Sequence, residues 1–229
     1  MRLKRPSFDA AQLKWIALLS MTIDHISALL FLPALGPTPP HAAVLFGLGM
    51  RAVGRLAFPI YAFLLVEGFF HTRSRSAYFV RLAGFALLAE IPYDLAWFGC
   101  PFDGQRQNVL FTLALGLLTL VLLERAASRP LLGGLALASG CAAAVLLRTE
   151  YDAVGILLIA LFSLVPRFRG RGLCGAGLLL AWETRNLCCA GVLALLPVSC
   201  YNGRRGRLLM PLFFYWYYPV HLLLFWAAR

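Results

Sequence analysis

Apolar runs of membrane-crossing length recur from near residue 13 to the C-terminus. This recurrence limits the fold more than any other feature. A bilayer core needs roughly 20 apolar residues per helix, so eight or nine such helices would use nearly all of the 229 residues. Only 14% of the residues are charged, against about 25% in an ordinary soluble domain. The expected fold is all-α: a polytopic transmembrane bundle of about nine helices forming a single domain over residues 1–229. With no room for a separate catalytic domain, any chemistry must sit among the membrane helices.

The expected helices run over 13–32, 48–70, 78–98, 108–125, 131–147, 153–166, 173–184, 187–201 and 208–228. The seventh and eighth are short enough to be half-spans or a re-entrant pair. Pro59, Pro92 and Pro219 each remove a backbone donor and are expected to bend their helices. The glycines and alanines of the fifth helix suit close helix packing. Arg2, Lys4 and Arg5 precede the first apolar run much as in a signal peptide, but Asp24 and His25 interrupt that run. A retained first helix is the better reading.

The net charge is +11. In a soluble protein that excess points to nucleic acid. In short loops it orients a membrane protein instead, so no nucleic-acid partner is expected. Alternate loops, counted from the N-terminus, hold Arg2, Lys4 and Arg5; Arg73, Arg75 and Arg81; Arg125 and Arg129; Arg167, Arg169 and Arg171; and Arg204, Arg205 and Arg207. These are 14 of the 21 basic residues. The asymmetry puts the N-terminus in the cytoplasm and, with nine spans, the C-terminus outside. The six cysteines show no metal-ligand or redox spacing, and neither a disulfide framework nor a metal site is inferred from them.

Ionisable groups at membrane depth cost several kcal/mol unless paired or hydrated, so each needs a reason. The first helix carries Asp24 and His25, the second Arg51 and Arg55, the third Glu90 and Asp94, and the ninth His221. Asn108, Arg148, Glu150 and Asp152 lie near outer helix ends. At about 1.5 Å per residue, His25, Glu90 and His221 reach mid-membrane or the outer half. The pattern suggests one outward-opening polar cluster. The competing reading of Asp24, Arg55, Glu90 and Asp94 is buried ion pairs, such as Asp24 with Arg55. A mid-membrane histidine can exchange protons near neutral pH, which favours a functional role for His25. His41 reads as a loop residue, and His71 with Glu67 as a cytoplasmic-mouth pair. Lys14 and His25 are eleven residues apart, three turns on one face and about 16 Å. Lys14 can therefore meet an anionic group at the mouth while His25 meets chemistry deeper in, a spacing that suits a carrier shaped like coenzyme A.

The stretches LKWIALLSMTIDHI (13–26), RAVGRLAFPIYAFLLVEGFFHTRSRSAYFVRL (51–82), EIPYDLA (90–96), NVLFTLALGLL (108–118), EYDAVGILLI (150–159), YNGRRG (201–206) and FFYWYYPVHLLL (213–224) together resemble the TraX family of conjugal-transfer proteins. The named member of that family acetylates the N-terminus of F-type pilin. The Lys14–His25 spacing also resembles the wider group of membrane acyltransferases. The resemblance implies a multi-pass acyltransferase of the bacterial inner membrane that takes acetyl-CoA or another acyl-CoA as donor, with no metal. The acceptor would be an amine or hydroxyl at the outer side, on a pilin-like protein or a glycan. His25, with Asp24, Arg55 and Asn108, would carry the chemistry. Lys14, His71, Arg73, Arg75, Arg81, Asn202, Arg204 and Arg205 would hold the donor. Arg51, Glu90, Asp94, Asp152, Tyr218 and His221 would face the acceptor. A proton-coupled transporter or channel is the alternative, and a structural component of a membrane assembly a third reading.

Overall fold

A computed structural model describes residues 7–166, 169–207 and 212–229, without the side chain of Arg169. The loop charges at Arg2, Lys4, Arg5 and Arg167 lie outside the described residues. The protein is all-α: among the described residues the only extended pairings are two isolated bridges, Phe8 with Tyr201 and Gln107 with Thr149. Two helical stretches, Ala10–Ala34 and His41–His71, are long and apolar enough to cross a membrane.

Two compact units divide the chain. The first takes in Met1–Leu64, Gly177–Phe214 and Ala228–Arg229. Its leading helix α1 (Ala10–His25) starts at a capping box. The Asp9 side chain accepts from Gln12 N at 2.8 Å while the Gln12 side chain accepts from Asp9 N at 2.9 Å, satisfying two of the helix's orphan donors. Beyond His25 the chain widens into a π-helical stretch, Ile26–Phe31, and closes with the short α2 (Leu32–Ala34). Helix α3 (His41–Gly54) packs along α1 and the π-helical stretch.

The second expected helix therefore begins earlier than the apolar run suggested. His41, read as a loop residue, opens α3, because Pro40 ahead of it supplies a non-helical entry. That helix is also interrupted. Arg55 and Leu56 form a tight turn, and α4 (Ala57–His71) starts after it. Pro59 explains the position: it has no N–H to give to the carbonyl four residues back, at Arg55.

The second unit takes in Leu65–Ala176 and Tyr215–Ala227. Helix α5 (Arg75–Phe98) is capped by Ser74, which accepts from Ala77 N at 3.2 Å. Helix α6 (Val109–Arg125) packs against α5, α7 (Pro130–Leu146) and α8 (Asp152–Ser163). Leu117, Ile156, Ile159 and Phe162 are fully buried at this core. By contrast, Leu131 and Leu146 on α7 are 78% and 81% exposed. Large outward apolar surface of this kind marks contact with a membrane or a partner.

Helix α9 (Arg169–Glu183) extends the seventh expected helix at its N-terminal end. The eighth, expected as one helix over 187–201, is a broken series: 3-10 turns at Arg185–Leu187 and Ala190–Ala194, then α10 (Leu195–Ser199). The break falls at Cys188 and Cys189, both left-handed at φ 53° and 57°. No apolarity pattern signals it. Helix α11 (Phe213–Ala227) runs through Pro219.

Candidate functional site

In the first unit the polar residues of α1 meet α3. Asp24 and His25 are 8% and 7% exposed. Arg51 donates to Asp24 Oδ2, and the Arg55 Nη2 lies 3.5 Å from Asp24 Oδ1. Asp24 thus pairs across helices with two guanidiniums one turn apart. Gly54 makes this approach possible, since a Cβ there would fall on the Asp24 carboxyl. One turn further along, the Ser27 hydroxyl donates to the Gly47 carbonyl at 2.8 Å. His25 is the last residue before the π-helical stretch, and π-bulges inside α-helices collect at functional sites.

The other end of α1 is tied to the 201–206 loop. Phe8 N donates to Cys200 O at 3.0 Å, Asn202 N to Phe8 O at 2.9 Å, and Ala10 N to Arg204 O at 2.9 Å. Gly206, at φ +69°, sits so close to Asp9 and Ala11 that a side chain would collide with them. The Asn202 side chain turns the loop by accepting from Arg204 N at 2.9 Å. Arg204 and Arg205 are left exposed beside the first turn of the helix that carries Lys14. Lys14 Nζ stands 5.7 Å from the Phe214 ring centre. Of the donor-side residues, this unit brings together Lys14, Asn202, Arg204 and Arg205.

The second unit holds the remaining ones. Asn108, fully buried, is the N-cap of α6: its Oδ1 accepts from Leu110 N at 3.0 Å. Its amide Nδ2 donates to Ala86 O at 2.8 Å and to Glu90 Oε2, and its backbone N–H donates to the same carboxylate oxygen at 3.2 Å. Asp94, one turn beyond Glu90, accepts from Asp103 N at 2.8 Å. Tyr93 and Tyr218 are buried within electrostatic reach of Glu90 and Glu150, and the Tyr218 hydroxyl bonds the backbone of Val109. His221 is 3% exposed, stacks on Tyr217 at 4.9 Å, and its Nδ1 lies 2.7 Å from the Tyr217 carbonyl. A carbonyl only accepts, so Nδ1 carries the proton and a neutral ring keeps its lone pair on Nε2.

At the opposite end of this unit, Arg75 forms a two-fold pair with Glu124 and lies over the Phe69 ring at 4.2 Å. Arg81 lies over Tyr78 and Tyr215. His71 is exposed and contacts its own helix at the Glu67 carbonyl, and Arg73 is exposed. Asp152 is the exposed first residue of α8.

Sequence reasoning passed over Gly54, Ser27, Tyr93, Asp103, Glu124 and Thr149. Gly54 was the most accessible of these, as a glycine three residues after Arg51 and next to Arg55. Among the described residues, no group of three or more His, Cys, Asp and Glu is placed to hold a metal ion.

No solved structure matches the chain. A probable fimbrial assembly protein, FimC of serogroup H1, from Dichelobacter nodosus, is 34% identical over 245 residues, covering 97% of this chain and 96% of that one. The model of the family described as TraX protein matches residues 9–229. On both counts the chain belongs to the TraX family.

Proposed function

We propose that the chain is an acyl-CoA-dependent acyltransferase of the bacterial inner membrane that serves pilus or fimbrial assembly. In this reading its helical segments make a nine-span, multi-pass bundle with the N-terminus in the cytoplasm, as the loop charges favour. Its family membership and its fimbrial-assembly relative support the pilus-related role. The acceptor is an amine or hydroxyl of a pilin-like protein or a glycan.

The observation that carries the chemistry is on α1. A buried histidine ends the helix where it turns π-helical, while the neighbouring carboxylate is held by two arginines. Lys14, Arg204 and Arg205 gather at the other end of the same helix and suit the phosphates of coenzyme A. His25 takes the proton of the attacking amine or hydroxyl, the new bond forms at the thioester carbon, and the carbon–sulfur bond breaks. The sulfur leaves as thiolate and receives the proton from His25. Arg55 faces the developing oxyanion. Both hydrogens of the Asn108 amide already have acceptors, which favours a capping role for that residue over an oxyanion role.

The test is acetyl transfer by purified, folded protein in nanodiscs given acetyl-CoA and a pilin-derived acceptor. General-base catalysis contributes about 10²–10⁴-fold, so His25→Ala is expected to lose transfer by that factor while His221→Ala keeps most of it. The reverse result would move the chemistry to His221. Absence of transfer by the wild-type chain to any offered amine or hydroxyl would remove the acyltransferase reading.

A further inference from the structure

The π-helical stretch that follows His25 is held from outside at both of its ends. π-Helical turns are rare and occur mostly as short insertions in α-helices, so this one needs anchors. Ser27, fully buried, supplies two of them. Its hydroxyl donates to the Gly47 carbonyl on α3 at 2.8 Å, and its own carbonyl accepts from Leu32 N, which closes the stretch. Pro33, next along, has no N–H to give back to it. At that far end Gly47 acts again. A Cβ there would fall on the Leu32 side chain and press on the Phe31 ring. Phe31 also meets Phe46 edge-on, with ring centres 5.5 Å apart. Gly47 thus takes a polar contact from the start of the stretch and an apolar one from its end.

These anchors set the rotation of what comes before them. The i→i+5 bonds of a π-helical turn take in one residue more than those of an α-helix, and successive α-helical residues are about 100° apart around the axis. If the stretch closed into α-helix while Phe31 and Leu32 stayed seated on Gly47, the residues before it would turn by about that angle. Asp24 would leave its place against Gly54, Arg51 and Arg55, and His25 would swing with it. We propose that Ser27 is a positioning residue for the reaction: its bond to Gly47 locks the π-helical register and so fixes the direction of the His25 imidazole. The ion pairs of Asp24 hold the backbone just before His25, and Ser27 holds it just after. The Ser27 proton is committed to a backbone carbonyl and its side chain is fully enclosed, so it takes no part in the proton transfer itself. This role rests on the acyl-transfer reading of His25.

The test is a double-mutant cycle on acetyl transfer by the full chain in nanodiscs, with kcat and the KM for acetyl-CoA measured for each variant. A displacement of about 1 Å can cost about 10²-fold, so Ser27→Ala is expected to lower kcat by about ten- to a hundredfold. The KM for acetyl-CoA is expected to hold, since Lys14 lies about 20 Å away along the helix. On a His25→Ala background the same substitution is expected to change the residual rate by less than about twofold, because it acts through His25 alone. A residue that only stabilises the fold costs the same factor in both backgrounds. Gly47→Ala keeps the hydroxyl but displaces Leu32 and Phe31, and is expected to repeat the pattern of Ser27→Ala. Gly49→Ala, on the same helix with open space around it, is expected to keep the wild-type kcat. Wild-type kcat in Ser27→Ala, or equal losses with and without His25, overturns the proposal and leaves the acyl-transfer reading standing. If Ser27→Ala does not fold, the Gly47→Ala cycle decides by the same two criteria. No transfer by the wild-type chain, or full transfer by His25→Ala, overturns the reading itself and this role with it.

Discussion

Asp24 and Asp94 are both buried aspartates on apolar helices, and the protein holds them in opposite ways. Asp24 faces two guanidiniums, one from α3 and one from the turn that ends it, and is over-compensated in charge. Asp94 receives one backbone N–H and has no ion-pair partner among the described residues. Coulomb attraction in a low-dielectric surrounding binds the first into the structure. A single N–H donor orients the second without neutralising it. A carboxylate of the first kind holds helices together. One of the second kind ties a loop to its helix through a single hydrogen bond.

The sharpest break in this comparison is Asp24→Asn. It removes the anion that Arg51 and Arg55 share. Removing one partner of a buried pair costs about 3–5 kcal/mol. These arginine side chains keep 22% of their exposure, so the low end, about 3 kcal/mol, is expected from chemical unfolding in detergent. A loss below about 1 kcal/mol would mean that solvent already screens the pair, and the contrast with Asp94 would weaken.

A second test leaves the charges alone and moves the backbone. Gly54→Ala puts a methyl where the Asp24 carboxyl lies, so the pair must shift, at an expected cost of about 2 kcal/mol. Gly49 is on the same helix with open space around its Cα. There alanine is expected to stabilise by about 0.5–1 kcal/mol through reduced chain entropy. Equal effects at the two positions would show that helix propensity, not the approach of Asp24, governs this helix.

The contrast was only half visible in the sequence. Asp24 with Arg55 was legible because a carboxylate and a guanidinium inside apolar helices have few alternatives to each other. Helix order was legible for a similar reason: apolar runs punctuated by arginine-rich loops leave little choice of register along the chain. The interruption at Arg55 was partly legible through Pro59, but the π-helical stretch after His25 was not read from the sequence, although Pro33, which has no N–H to donate, follows it directly. The left-handed pair Cys188–Cys189 left no trace, as neither residue favours that conformation. The surroundings of Glu90 and Asp94 were hidden because their donors are backbone N–H groups and an N-cap side chain. Such donors are set by loop geometry and carry no compositional signal.

The smallest expected effect completes the comparison. Asp94→Asn removes the charge but keeps an oxygen able to accept from Asp103 N. The new amide nitrogen takes the place of the oxygen that has no partner among the described residues. Two terms then oppose each other. A buried amide N–H without an acceptor costs about 1–3 kcal/mol, and relieving a buried, unpaired charge returns several kcal/mol or less, depending on how far water relaxes around it. The net change in unfolding free energy is expected to lie within about 1 kcal/mol of zero, against a loss of about 3 for Asp24→Asn. The measurement is the same unfolding titration. A loss at Asp94 as large as that at Asp24 would mean that the second carboxylate also anchors the fold, and the distinction between the two aspartates would disappear.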